Sequence, residues 1–247
     1  MDVPHSWFFP NSASEAKEVQ RIMAAKVVLE DSFQSFPTFG GMDVSNNLYD
    51  PKQMIYASAI ALSDSLEIKE QAAIACKQSF PYISGLLGFR EAPALVEAFK
   101  KLKNKPSILF VDGHGIAHPR GLGIASHIGV LLDIPTIGVA KSILVGEPTA
   151  VLSPKVGAQV PLVWQNRTLG MLLRTKVRSN PLIVSSGHKV SLKTAVELVQ
   201  RCLRGYRLPE ATRQAHLAAN AYRLTLTHKF CFHRGLRLCH MDPLSHP

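Results

Sequence analysis

No apolar run in this chain approaches the ~20 residues that a membrane-spanning helix needs, because its longest apolar stretches are broken by Lys, His or Pro. The start, MDVPHSWFFPNSASEAKE, lacks a basic segment followed by an apolar core and a small-residue cleavage site. Cysteine is sparse. Cys76, Cys202, Cys231 and Cys239 include no CxxC and no close pair, so a disulfide frame and a zinc site are not expected. They read as reduced thiols of a soluble, cytoplasmic protein. Internal repeats and low-complexity linkers are also absent. Acidic residues are in deficit, 18 against 28 Lys plus Arg, giving a formal charge of +10. A positive field favours polyanions, since neutralised phosphates release counterions. Many basic proteins have no such partner, so charge alone makes nucleic acid a candidate and no more.

What is present fits one sizeable domain spanning 1–247, with 46% hydrophobic and 19% charged residues, a globular rather than disordered balance. Ser14 to Glu30 carries apolar residues at helical spacing (Val19, Ile22, Met23, Val27), with Ser14 as a cap. Strands are expected around Phe39 to Val44 and Gln53 to Leu62. Leu66 to Gln78 reads as a third strand, although its Glu, Lys and Ala also suit a helix. Ala92 to Lys103 and Leu122 to Leu132 read as helices, and Ser107 to Val111 and Thr136 to Ala140 as short buried strands. Leu162 to Trp164 and Thr168 to Thr175 flank Asn166-Arg167 as a hairpin, and Leu182 to Ser185 adds a strand. Closing helices are expected at Ser191 to Leu203, with Ser191 as N-cap, and at Glu210 to Tyr222. Hairpin strands followed by alternating strands and helices imply an α/β fold, a mixed β-sheet with helices on both faces. Functional groups in such sheets gather at the carboxyl ends of the strands.

Asp112 ends a buried strand and opens VDGHGIAHPRGLG, where His114, His118, Arg120 and His127 crowd one segment. An isolated Asp-Gly is most simply a turn, but that company argues for a site. Asp43, in GGMDVS, is by itself a chain-reversal aspartate. Glu91 follows LLGFR and opens a helix, a place that a helix dipole explains. Three carboxylates from separate elements can still meet at one sheet edge, where hard oxygen ligands suit Mg²⁺ or Mn²⁺. Lys141 follows the TIGVA strand and shares the edge of Asp112 if the two strands are neighbours, and His216 sits on the last helix in RQAHLAAN; a solvated lysine and a core or surface histidine are their plain readings. Tyr82, in the rigid PYISG loop, fits a wedge in a base stack as well as a tyrosine packed over a turn. Gly187-His188-Lys189 before the Ser191 cap offers a helix N-terminus to phosphate. The tail from Leu217, ending FCFHRGLRLCHMDPLSHP, has no clear periodicity; its His233, His240, Cys231 and Cys239 match no zinc spacing, and it reads as an ordinary frayed terminus.

Three segments are specific: FPYISGLLGFREAPAL, FVDGHGIAHPRGLGIASHIGVLLDIPTIGVAKSIL and SSGHKVSLKTAVELVQRCLRGYRLPEATRQAH. In this order they closely resemble the endonuclease V family, over residues 37–216. The resemblance implies a ribonuclease H-like fold and a divalent metal, Mg²⁺ with Mn²⁺ as a substitute. It further implies recognition of hypoxanthine (inosine) in nucleic acid during DNA repair, with hydrolysis of the second phosphodiester on its 3′ side. Cleavage would leave 3′-hydroxyl and 5′-phosphate ends. Carried over by motif, Asp43, Asp112 and Glu91 resemble the metal-holding carboxylates, and His118 and Lys141 match positions near the scissile phosphate. His216 matches a position that alternates between His and Asp. Tyr82 resembles the strand-separating wedge, and Gly85 and Gly113 the pocket for the extruded base. A monomer is expected on the same resemblance.

This chain departs from the family pattern at Ser84, where many members have Pro, over Asn46 to Leu66, and in the divergent tail, 217–247. Inosine in DNA and inosine in RNA both remain open as substrates, since contacts to a 2′-hydroxyl are not written in one sequence. The competing expectations are a non-cleaving inosine-binding module and a different ribonuclease H-like nuclease. Three clustered acids argue against the first, and the PYISG, FREAP and HPR contexts against the second.

Overall fold

The computed structural model describes residues 3–33, 38–46 and 50–233, with side chains through residue 227. A 3₁₀ turn at His5–Trp7 precedes helix α1 (Ala13–Ala24). The cap of α1 is Ser12, not Ser14: its hydroxyl accepts from the Glu15 N–H at 3.1 Å, and the Glu15 carboxylate reaches back to the Asn11 N–H at 2.7 Å. This reciprocal arrangement satisfies two free donors at the helix start. Val19 and Met23 face the core as read, whereas Ile22 is exposed.

Strands β1 (Phe39–Asn46), β2 (Met54–Leu62) and β3 (Ile68–Lys77) form an antiparallel meander. β1 runs past Val44, so Asp43 lies within the strand rather than at its end. The Glu and Lys of β3 are explained by its place at the sheet edge, where charge discourages further pairing. Its Glu70 accepts the Lys103 and Asn104 N–H groups at 2.6 and 2.9 Å, closing the end of α2 (Leu87–Lys101). That helix starts well before Ala92, which places Glu91 inside it. Pro93 cannot donate to the Phe89 carbonyl, and the Ser79 hydroxyl supplies the missing bond at 3.2 Å.

β4 (Ile108–Asp112), α3 (Ile124–Leu132) and β5 (Thr136–Ala140) continue the sheet in parallel with β1. Beyond β5 lie β9 (Leu182–His188), β8 (Arg167–Leu173), β7 (Gln159–Trp164) and the short β6 (Glu147–Pro148), all antiparallel, giving the order β3-β2-β1-β4-β5-β9-β8-β7-β6. The β7–β8 turn is Gln165-Asn166, with φ of 50° and 60°, the left-handed pair that a two-residue hairpin turn requires.

Helices α4 (Leu192–Arg201) and α5 (Glu210–His233) cover one face of the sheet and α2 and α3 the other, each over its own apolar core. α5 does not end at Tyr222. Ala211, Ala215 and Ala219 bury its first part, and the Thr225 and Thr227 hydroxyls bond back to the carbonyls of Ala221 and Arg223, both at 2.9 Å. The residues read as a frayed tail from Leu217 are thus helical to His233. Cys239 and His240, together with the side chains of Cys231 and His233, lie outside the described part. No described helix is long and apolar enough to cross a membrane.

The N-terminus of α4 is capped by Ser191 as read, but it is not open to phosphate. The Asp31 carboxylate accepts from the Ser191 N–H at 2.7 Å and the Thr194 hydroxyl at 2.6 Å. A carboxylate there satisfies the helix end and repels a second anion.

Candidate active site

Side chains alternate along a strand, so Gly41, Asp43 and Ser45 share one face of β1, and α5 lies along that face. A Cβ on Gly41 would sit 1.9 Å from the Ala211 carbonyl oxygen, which shows how closely helix and strand approach. The parallel register of Met42 with Val111 brings Asp43 beside Asp112, the last residue of β4. His216 on α5 completes a group whose ligand atoms lie within 4.8 Å of one another. Glu91 comes from α2, on the opposite face, and feels both aspartates. Burial and those two charges push its carboxyl up to about 8, against the opposing pull of Arg90. Asp112 is also raised, by burial and by Asp43, although Lys141 forms an ion pair with its Oδ2. Asp43 is buried and Asp112 and Glu91 are half-buried, and the raised carboxyls of the last two show that Lys141 and Arg90 do not fully offset the negative charge; a divalent cation fits that imbalance and that oxygen-rich donor set.

His216 is tied at both ring nitrogens: Nδ1 to Asp43 Oδ2 at 2.7 Å, and Nε2 to the Asn220 amide nitrogen at 3.0 Å. Asn220 Oδ1 accepts from the Ser45 hydroxyl at 2.7 Å, and Arg223 Nε donates to that hydroxyl at 2.9 Å. With its oxygen committed to Ser45, the Asn220 amide donates to Nε2, so the imidazole proton sits on Nδ1 and points at Asp43. The Asp43 carboxylate raises the His216 pKa. These partners orient the carboxylate through the histidine. Replacing Asn220 by Ala should weaken divalent-ion binding about tenfold with the melting temperature kept, as read by calorimetric titration of Mn²⁺ into metal-free protein. Unchanged affinity would show that His216 holds Asp43 without help.

Beside the acids opens a cleft of about 230 Å³, lined by Tyr82, Gly85, Gly113, His114, His118 and Ile124 among others. Gly85 (φ +76°) and Gly113 (φ +147°) occupy backbone regions that side chains disfavour, and a Cβ on Gly113 would lie 2.4 Å from Ile124 Cγ2. The Gly85 carbonyl accepts three donors: Gln20 Nε2 at 2.9 Å, His118 Nε2 at 3.0 Å and Arg120 Nη2 at 2.8 Å. His118 Nδ1 accepts from the Arg120 N–H at 3.2 Å, so its proton is on Nε2. Burial and Arg120 push the His118 pKa down to about 4, which keeps the ring neutral. Tyr82 projects from this pinned loop with 71% of its surface exposed, and the Arg90 guanidinium lies 5.9 Å from its ring centroid.

The structure therefore brings Asp43, Asp112, Lys141 and His216 together, while Glu91 stands outside that group of ligand atoms but close enough for the two aspartates to raise its pKa. It sets His118 apart, with Gly85, Gly113 and Tyr82 around the cleft. Sequence reading missed Ser45, Asn220 and Arg223, and also Gln20 and Arg207. The spacings Asp43-x-Ser45 and His216-x₃-Asn220 were visible as one strand face and one helix face. Gln20, a polar residue on the apolar face of α1, was the other available signal. Arg207, whose Nη2 holds the Lys141 carbonyl at 3.0 Å, carried none.

The family model of endonuclease V matches residues 21–217, beginning earlier than the motif range of 37–216 and ending inside α5. Endonuclease V of Protochlamydia amoebophila is 57% identical over 219 residues, 88% of this chain and 93% of that one. The crystal structure of endonuclease V from Streptomyces avermitilis is 33% identical, covers 91% of this chain and 98% of its own, and superposes with a TM-score of 0.83. Ciona intestinalis endonuclease V, crystallised with a 24mer DNA containing an inosine followed by a ribo-adenosine, is 26% identical, covers 86% of this chain and 98% of its own, and has a TM-score of 0.74. The nine-stranded mixed sheet, the Asp43–Asp112–His216 cluster on its neighbouring strands β1 and β4 and on α5, and this similarity along nearly the whole chain agree: the protein belongs to the endonuclease V family of nucleases.

Proposed function

We propose that the protein recognises hypoxanthine in nucleic acid and, with Mg²⁺, hydrolyses the second phosphodiester on its 3′ side, an incision step of DNA repair. The observation that carries this reading is the placement of an under-neutralised carboxylate cluster next to a glycine-lined cleft at one sheet edge. Asp43, Asp112 and Glu91 would hold the metal, and Mn²⁺ fits the same oxygens. When bound, a divalent ion supplies positive charge against the phosphate and acidifies attacking water. Lys141, paired with Asp112, would meet charge growing on the phosphate oxygens. His216 orients Asp43.

The extruded base would enter the cleft beside Gly85 and Gly113 while Tyr82 fills the gap in the stack. Flipping costs a few kcal/mol, and less where pairing is already weak, which favours a deaminated site. His118, neutral and bonded to Gly85, holds the loop that carries Tyr82. The free thiols of Cys76 and Cys202 fit the reducing cytoplasm.

The Ciona relative was crystallised with a ribo-adenosine after the inosine, which is a specific reason to test RNA beside DNA. The experiment is a strand-resolved cleavage assay with Mg²⁺ on matched DNA and RNA oligonucleotides, each carrying one inosine. The expected product is a nick one nucleotide beyond the inosine's own 3′ phosphate, lost in EDTA and lost when adenosine replaces inosine. Tight inosine-dependent binding without a nick would replace this reading with that of a non-cleaving binder.

A further inference from the structure

Tyr206 lies in the loop between α4 and α5 with 50% of its surface exposed. The Arg213 guanidinium covers its ring at 4.3 Å from the centroid. Arg213 is held in turn by a two-pronged ion pair to Glu210, Nε to Oε2 at 2.8 Å and Nη2 to Oε1 at 2.5 Å. A tyrosine backed by a locked guanidinium offers a ring face whose orientation is set before any ligand arrives.

The loop is fixed on its other side as well. Arg207 Nε donates to the Asn180 carbonyl at 2.9 Å and its Nη2 to the Lys141 carbonyl at 3.0 Å. The Thr175 hydroxyl donates to the Arg207 carbonyl at 2.6 Å. Tyr206 is thus adjacent in sequence to a residue bonded to the Lys141 backbone, and its guanidinium backing lies less than one helical turn before His216. Arg201 and Arg204, both exposed, add positive charge to the same loop region.

The topology gives this feature a direction. The glycine-lined cleft belongs to the α2–α3 face of the sheet, and Tyr206 belongs to the α4–α5 face. Between the two, Asp112 ends β4, Asp43 lies within β1 on the α5 side, and Glu91 belongs to α2 on the other side. A strand with its inosine in the cleft and its scissile phosphate at the acids must cross from the first face to the second. With cleavage 3′ of the inosine, as proposed above, the nucleotides beyond the broken bond would be carried toward Tyr206.

We propose that Tyr206, backed by Arg213, is a stacking platform for a nucleobase on the 3′ side of the cleaved bond, a second aromatic contact across the site from Tyr82. The inference rests on the reading of the cleft and acids given above. Base–aromatic stacking tolerates any base, because each has a π-face, so this contact adds affinity for flanking single strand without adding sequence preference.

The test is fluorescence anisotropy in EDTA with two single-stranded DNA probes that share a 5′ flank and one inosine. One probe stops at the scissile phosphate and the other continues several nucleotides beyond it. Tyr206→Ala should weaken binding of the longer probe about tenfold and leave the shorter unchanged, while Tyr206→Trp keeps the wild-type affinity for both. Both probes meet the same protein preparation, so partial misfolding of a variant cannot create the contrast between them. Equal weakening on both probes, or no weakening on either, overturns the platform. Replacing inosine by adenosine in the wild-type comparison tests the cleft separately: loss of that preference would sink the hypoxanthine reading and leave the flank contrast intact.

Discussion

Asp112→Ala and Asp43→Ala should each lower Mg²⁺-dependent cleavage by at least about 1,000-fold, a loss of roughly 4 kcal/mol of transition-state stabilisation. The two aspartates lie side by side on neighbouring parallel strands, so a small side chain at either leaves the sheet register intact. Removing either also relieves repulsion among the acids, and thermal melts in EDTA should show no loss of stability. Single-turnover cleavage of an inosine-containing oligonucleotide reads the activity, and the melts confirm that the loss is chemical. Residual cutting within about tenfold of wild type by either variant would remove that aspartate from the metal site.

Glu91→Gln should act in opposite directions on activity and on stability. Activity should fall about 100-fold or more, since an amide is a weaker ligand and carries no charge toward a cation. The metal-free protein, however, should become more stable. With the Glu91 carboxyl pushed up to about 8 by burial and by Asp43 and Asp112, the folded chain holds a proton that the unfolded chain has lost between about pH 4.5 and pH 8. Stability of the metal-free wild type therefore falls as pH rises through that window. A neutral glutamine removes the fall. At about pH 8 the variant should melt roughly 4–8 °C higher, for about 2 kcal/mol of relieved repulsion. Mg²⁺ should raise the melting temperature of the wild type more than that of the variant. A variant that melts lower than wild type in EDTA at every pH would show that Glu91 is a structural acid, satisfied by neighbours within the protein.

The contrast between legible and hidden parts of the site follows from the range of the interactions. Asp112, at the end of an apolar run and before two glycines, was legible because a buried strand and a tight turn are local patterns. Glu91 was named but placed at a helix start, whereas α2 begins at Leu87 and holds it in its second turn. The Phe89 carbonyl that Pro93 leaves without its helical donor is bonded by Ser79, a residue outside the helix. α5 was read short for a related reason. Its later turns lack an apolar stripe and are held by threonine back-bonds as well as by packing on β1 and β2. His118 was grouped with the phosphate by its motif, yet its two ring bonds place it under the Tyr82 loop.

The sequence by itself determined the family, the mixed α/β architecture and the acids, because strand alternation, glycine turns and the long DGHG-to-ASH motif are written in neighbouring residues. Tertiary structure alone decided which groups touch. The His216–Asn220–Ser45 chain exists because α5 lies along the Asp43 face of β1. The Gly85 carbonyl gathers donors from α1 and from the loop after β4, and Arg207 reaches the Lys141 backbone across the α4–α5 connection. Each of these joins residues far apart in the chain, and their geometry is fixed by how the helices pack on the sheet, which no local pattern encodes.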